Sequence, residues 1–194
     1  MRSLLTITFS FFLLAAQAQL FDLGLKGGVN QDDLRSSFQH EPLLGGHAGI
    51  FARVKPPVLP GVQGELLVST LGTNVRAEGQ ELDLRTASLQ APLFIVMAFG
   101  PFELHAGGYY EKYLTKSFTT DSDITFDGNT VRVADLADNG LGLLGGAGLR
   151  LGHFYAGARY LYGLEDVGTG PVLDGVRSRQ VQAYIGFGFF KPLK

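Results

Sequence analysis

Residues 103–113 read ELHAGGYYEKY, and the stretch alternates: Leu104, Ala106 and Tyr110 fall on one face of an extended chain, Glu103, His105, Tyr109 and Glu111 on the other. A period of two marks a strand but leaves open which face meets water. In a soluble sheet the charged face is outside. In a membrane barrel the same pattern is worn inside out, with the charged face lining the interior.

Outward from this stretch, the alternation recurs through residues 20–30, 46–54, 62–71, 86–99, 102–113, 139–151, 154–164 and 179–190. The phase is least marked in 86–99, where Leu89, Leu93, Ile95, Met97 and Phe99 oppose Ser88, Gln90, Phe94 and Val96. Each segment is near the 9–11 residues that a tilted strand needs to cross a bilayer. Eight such segments suit an all-β fold, an eight-stranded antiparallel up-and-down transmembrane barrel. The connections 31–45, 72–85, 114–138 and 165–178 are long and polar, whereas 55–61, 100–101 and 152–153 are short. Short periplasmic turns and long extracellular loops are expected of an outer-membrane barrel, and both termini then lie on the periplasmic side.

This phase predicts two aromatic girdles on the apolar face: Phe21, Phe99, Phe102, Phe154 and Phe189 at the short-turn end, Tyr110, Tyr160 and Tyr162 at the other. A soluble lipocalin-like barrel is the alternative. It would put the polar face in water and has no need of alternating loop lengths.

Composition narrows the function classes. A formal charge of −2 argues against a nucleic-acid partner, which calls for a basic face. Absence of cysteine removes disulfides, thiolate metal sites and a cysteine nucleophile. Arg2, the apolar run LLTITFSFFLLAA at 4–16 and Ala16-Gln17-Ala18 have the layout of a cleaved signal peptide over residues 1–18, leaving a barrel domain at 19–194. The apolar run is too short for a spanning helix, which needs about 20 residues.

In their order and spacing, Leu23-Gly24-Leu25-Lys26-Gly27-Gly28-Val29-Asn30, Gln63-Gly64-Glu65-Leu66-Leu67 with Ser69 and Gly72, Leu89-Gln90-Ala91-Pro92-Leu93 and Arg159-Tyr160-Leu161-Tyr162-Gly163-Leu164 resemble the PorT-like outer membrane β-barrel proteins of Gram-negative bacteria. The resemblance spans residues 19–190 and implies an eight-stranded barrel in the outer membrane. The name-giving member is linked to protein secretion, a role not carried over here. The tail 191–194 departs from the pattern, because it follows the terminal aromatic where such barrels often stop.

On the chosen phase the inward charges are Lys26, Arg53, Arg150 and Arg159 against Asp22, Glu65, Glu103 and Glu111, with His47 and His105 sharing the lumen. Side chains fill the interior of so small a barrel, so these groups are expected to pair in a self-satisfying network centred on Glu65 and Arg159. Gly28, Gly49, Gly107, Gly146 and Gly148 are expected to make room for the arginines.

Chemistry is sparse. Ser36, Ser37, His40 and Glu41 supply residue types for a lipid-modifying hydrolase, but without a G-x-S-x-G elbow. Asp121, Asp123, Thr125 and Asp127 begin like a calcium loop, yet Phe126 and Arg132 stand where the glycine and the closing glutamate belong. Nor does residues 143–150 carry the lysine of a phosphate-binding loop. The histidines lack ligand spacing, so neither a metal nor a cofactor is expected. The sequence thus favours a non-enzymatic barrel that is anchored in outer membrane lipid and meets a protein or surface-polymer partner through its loops. A narrow small-solute pore is the alternative, and a lipid-modifying enzyme comes third.

Overall fold

The computed structural model describes residues 21–32, 40–42, 44–56, 59–77, 80–118, 124–126, 129–131, 137–166 and 177–190. Eight long strands dominate: β1 (Phe21–Asp32), β2 (Leu44–Val54), β3 (Gly61–Ala77), β4 (Gln80–Phe99), β5 (Phe102–Phe118), β6 (Asn139–Leu151), β7 (Phe154–Asp166) and β8 (Arg177–Gly188). Each pairs antiparallel with its chain neighbours, and β1 pairs with both β2 and β8, which closes the ring. Closure leaves none of the eight with an open edge. No helix occurs among the described residues.

The stagger of the ring can be followed through its hydrogen-bonded partners. A path from Arg150 runs through Tyr155, Gly186, Lys26, Gly49, Leu67, Gln90 and Glu111 and returns to β6 at Gly140, ten residues from its start. Ten residues of stagger over eight strands tilts them by roughly 40° at ordinary strand rise and spacing. Arg150 therefore lies at one end of the lumen and Glu111 near the other.

Two of the connections are tight turns. Gly100 and Gly152 open them at φ +65°, where glycine meets no steric penalty. At the opposite end the strands outrun the alternation seen in the sequence. Residues 72–77 and 80–85, expected as loop, continue β3 and β4 as a paired ribbon, with His40–Pro42 added against Thr73–Val75. Ile124–Phe126 and Asn129–Val131 form a separate small hairpin within the third connection. The ribbon lies beyond the apolar band, and its stretch is mostly polar.

Burial is inverted relative to a soluble protein. Leu25, Ile50, Leu66, Leu93, Ile95, Leu104, Leu143 and Ile185 are exposed, while Lys26, Arg53, Glu65, Glu103, Gln90 and Gln182 are buried. Only an apolar surrounding makes such a surface favourable. In β4, Phe94 and Val96 are buried and Leu93, Ile95, Met97 and Phe99 exposed, which is the phase read from the sequence.

Candidate functional site: a cross-braced lumen

Strand parity alone turns the charged residues inward, and the stagger decides which of them meet. Glu65 on β3 accepts from Lys26 Nζ at 2.8 Å and from Arg159 Nη1 at 2.7 Å. β3 and β7 stand four apart in a ring of eight, so the Glu65–Arg159 pair crosses the full lumen. Arg53 on β2 gives Glu103 on β5 a two-pronged contact at 2.6 and 2.9 Å, and its Nε donates to Gln63. The planar fork of arginine suits a carboxylate held in this way. Arg150 pairs with Asp22 near the short-turn end. His105 receives or donates at Tyr184 Oη, 3.1 Å away, and its Nε2 sits 3.5 Å from Glu103 in an electrostatic contact rather than a hydrogen bond.

Glu111 is the remaining carboxylate, and no cation touches it among the contacts described. Ser88 Oγ donates to it at 2.5 Å and Gln90 Nε2 at 3.0 Å. Gln90 in turn accepts from Gln182 Nε2, and Gln182 accepts from Arg159 Nε at 2.6 Å. Arg159, Gln182, Gln90 and Glu111 thus form a chain in which every donor points the same way. The triad of Lys26, Glu65 and Arg159 has one cation in excess, and the chain links it to the isolated carboxylate. Such aligned amides strengthen one another in a low-dielectric interior. Gln180 also accepts from Gln182 and from Gln90, which ties the chain to a second residue of β8.

Aromatic and aliphatic groups occupy the rest of the lumen. Phe51, Tyr155 and Tyr184 cluster together, with Phe51 edge-on to Tyr155 at 5.0 Å, and Phe94, Val96, Tyr109, Leu144 and Leu161 form a second cluster. Lys26 Nζ lies 3.5 Å from the centre of the Tyr184 ring. This changes the expected role of the interior glycines. Among the five named from sequence, only Gly146 stands against an arginine: a Cβ there would lie 2.6 Å from that of Arg159. Gly28 faces His47, Gly107 faces Phe94, Gly148 faces Tyr184 and His105, and Gly49 faces the backbone of Leu66. Elsewhere Gly24, Gly142 and Gly186 make room for Phe51, Tyr109 and Tyr155. Aromatic rings, which are broad and stiff, need the missing Cβ more than a flexible arginine stem does.

The remaining sequence candidates divide by position. Phe21, Phe99, Phe102, Phe154 and Phe189 are exposed on the outer surface toward the short-turn end, and Tyr110 and Tyr160 on it toward the other. Tyr162 is half-buried there beneath Arg179. Ser36, Ser37, Asp121, Asp123 and Asp127 lie outside the described residues, as do the leader and the tail. Among the described residues no group of histidine and carboxylates could hold a metal. Among the described residues, four buried polar side-chain atoms have no hydrogen-bond partner: His47 Nε2, His105 Nε2, Tyr155 Oη and Arg159 Nη2.

Residues 16–168 match the family described as outer membrane protein beta-barrel domain. Among solved structures, the chain is similar to Ail, the attachment invasion locus protein of Yersinia pestis, in complex with the heparin analogue sucrose octasulfate. Identity is 16%, with 87% of this chain and 99% of that one covered and a TM-score of 0.52. It is also similar to Neisserial surface protein A at 15% identity, with 87% and 97% covered and a TM-score of 0.52. No curated protein matches.

Proposed function

The chain belongs to the outer membrane protein beta-barrel domain family, and from that premise we propose a non-enzymatic, non-conducting barrel that acts through its extracellular loops. The protein sits in the outer membrane. The observation that carries the reading is the bracing of the lumen: Glu65–Arg159 and Gln90–Gln182 each join strands four apart, so a solute path would have to break both. With the interior committed to its own contacts, the surface left for a partner is the loop end. Within this reading the long loops face outward and a leader at 1–18 delivers the chain. The finer kinship is with the PorT-like barrels, on the motifs quoted above.

The loops favour a protein partner over a sulfated polymer. The third carries Asp121, Asp123, Asp127, Asp135 and Asp138 against Lys116 and Arg132, and the first carries Asp32, Asp33 and Glu41 against Arg35. Like charge disfavours a polyanion and favours a basic protein face. Ail was solved with a heparin analogue; this chain is expected not to bind heparin at physiological salt. A narrow solute path is the second reading, favoured by the four unpartnered buried atoms, which suit a few internal waters.

The test is complementation of a deletion strain. The intact protein should restore the envelope phenotype, and a barrel with residues 33–39, 119–136 and 167–176 replaced by short Gly-Asn linkers should not. Both should accumulate to equal levels and migrate faster on gels when unheated. Full rescue by the trimmed barrel would move the function into the barrel body.

A further inference from the structure

The outer wall is not evenly packed. Across β1, β8, β7 and β6, Leu25, Phe187, Phe154 and Leu151 form one register row of large side chains, and the next outward row toward mid-membrane reads Gly27, Ile185, Ala156 and Leu149. Two small residues thus notch the wall on either side of Ile185, and both notches belong to one apolar groove of about 820 Å³. Nothing in the wall itself calls for the first notch. Among the described glycines only Gly100 and Gly152 take a positive φ, and a Cβ at Gly27 would meet just His47 O at 3.6 Å and Ala48 Cβ at 4.0 Å, both ordinary contacts. On the lumen side the case is different, because a Cβ at Gly24 or Gly186 would strike the ring of Phe51 or Tyr155. The inward glycines serve the core, and Gly27 shapes the surface.

At its interfacial end the groove meets a histidine. The His153 ring stacks on Phe187, which lines the groove, with centroids 5.6 Å apart at 20°, and its Nδ1 lies 2.9 Å from Gly188 O. A carbonyl only accepts, so Nδ1 carries the proton, and in the neutral ring Nε2 is left as an acceptor. Among the described residues that Nε2 meets no partner. We propose that the groove is a binding site for one phospholipid with a primary-amine headgroup, its acyl chain lying over Gly27 and Ala156 and its ammonium donating to His153 Nε2. A shaft that is apolar along its length and carries one acceptor at the membrane surface is the complement of an amphiphile. In a two-fold dimer built on this face, by contrast, groove would meet groove and acceptor would meet acceptor. Lipid tails are as apolar as the wall, so packing and headgroup contacts decide which surface keeps a lipid. The notches give a chain contacts on its flanks that a flush wall lacks, and the volume falls within the roughly 300–1,000 Å³ of small-molecule sites. The headgroup class follows from the acceptor: a primary ammonium has N–H donors, whereas a trimethylated one has none. The site does not depend on which way the loops face, since orientation decides only which leaflet supplies the lipid.

The test uses full-length mature barrel in detergent micelles at pH 8, with dioleoyl phosphatidylethanolamine and dioleoyl phosphatidylcholine as paired probes and native mass spectrometry counting the lipid retained. Wild type should retain the ethanolamine lipid at least fivefold more than the choline lipid. Gly27→Leu/Ala156→Leu, which fills both notches, should lose at least tenfold on the ethanolamine lipid while still shifting on an unheated gel. If that variant folds poorly, Ala156→Leu alone should show at least a threefold loss. His153→Phe keeps the stack without the acceptor and should bring the two lipids level. Gly64→Leu, outward on β3 where an added Cβ meets only Leu93 at 3.8 Å, should retain lipid as wild type does. Equal retention by wild type and the filled variant would overturn the groove, and equal retention of the two lipids by wild type would overturn the headgroup assignment. A lipid-free dimer that the filled variant returns to monomer would give the groove to a second copy and overturn the lipid site.

Discussion

Glu65 shows what a single residue does here. It accepts from Lys26 two strands away and from Arg159 on the opposite wall, so its removal leaves both cations buried without compensation. Breaking such a pair costs about 3–5 kcal/mol. Glu65→Ala and Arg159→Ala are each expected to lose stability on that scale, and the double variant less than their sum, because the first change already removes the partner that the second would orphan. Urea unfolding in lipid vesicles measures this, and simple additivity would mean that the pair is uncoupled. Gln182→Leu should cost about 1–3 kcal/mol, since it strands the Arg159 Nε donor and the Gln90 carbonyl at once. That Glu65 and Arg159 point inward was legible from parity. That Arg53 meets Glu103, and that two glutamines carry the contact from Arg159 to Glu111, was not. Those partners are set by a ten-residue stagger that leaves no trace in a period of two.

At the scale of a strand, position along the bilayer decides the cost of a charge. Leu104 faces outward but lies only two residues above Phe102 in β5, paired with Met97 and Ala147, and so belongs to the short-turn interface. Leu93, six residues from the end of β4, is exposed on the same surface near mid-band. Arginine at the midplane of such a barrel costs about 2–4 kcal/mol, falling to about 0–1 near an interface. Leu93→Arg is therefore expected to lose the larger amount and Leu104→Arg the smaller in the same urea assay; the opposite order would mean that the band is misplaced along the strands. The strands were legible in the sequence wherever one face meets lipid. They were not read in residues 72–85, where β3 and β4 continue as a paired ribbon beyond the apolar band and the stretch is mostly polar. Phe51 and Tyr155 were legible as members of the inward face, but not as a cluster, because an aromatic on a polar face looks the same whether it packs on a ring or on a charge.

For the whole molecule, closure follows from the eight strands, and the closed shape decides the use. A ring of eight with this stagger leaves an interior that its own side chains fill. Here they fill it with bridges thrown from wall to wall and two aromatic and aliphatic clusters between them. The loops and the outer wall are then what the barrel presents to its surroundings. The central claim, that the lumen is shut, is tested most directly by single-channel recording of the purified protein in planar bilayers. No stable unitary current is expected from the wild-type barrel. Reproducible channels whose conductance changes when Arg159 is replaced would contradict it, because the current would then pass through the bridge that is held to close the lumen.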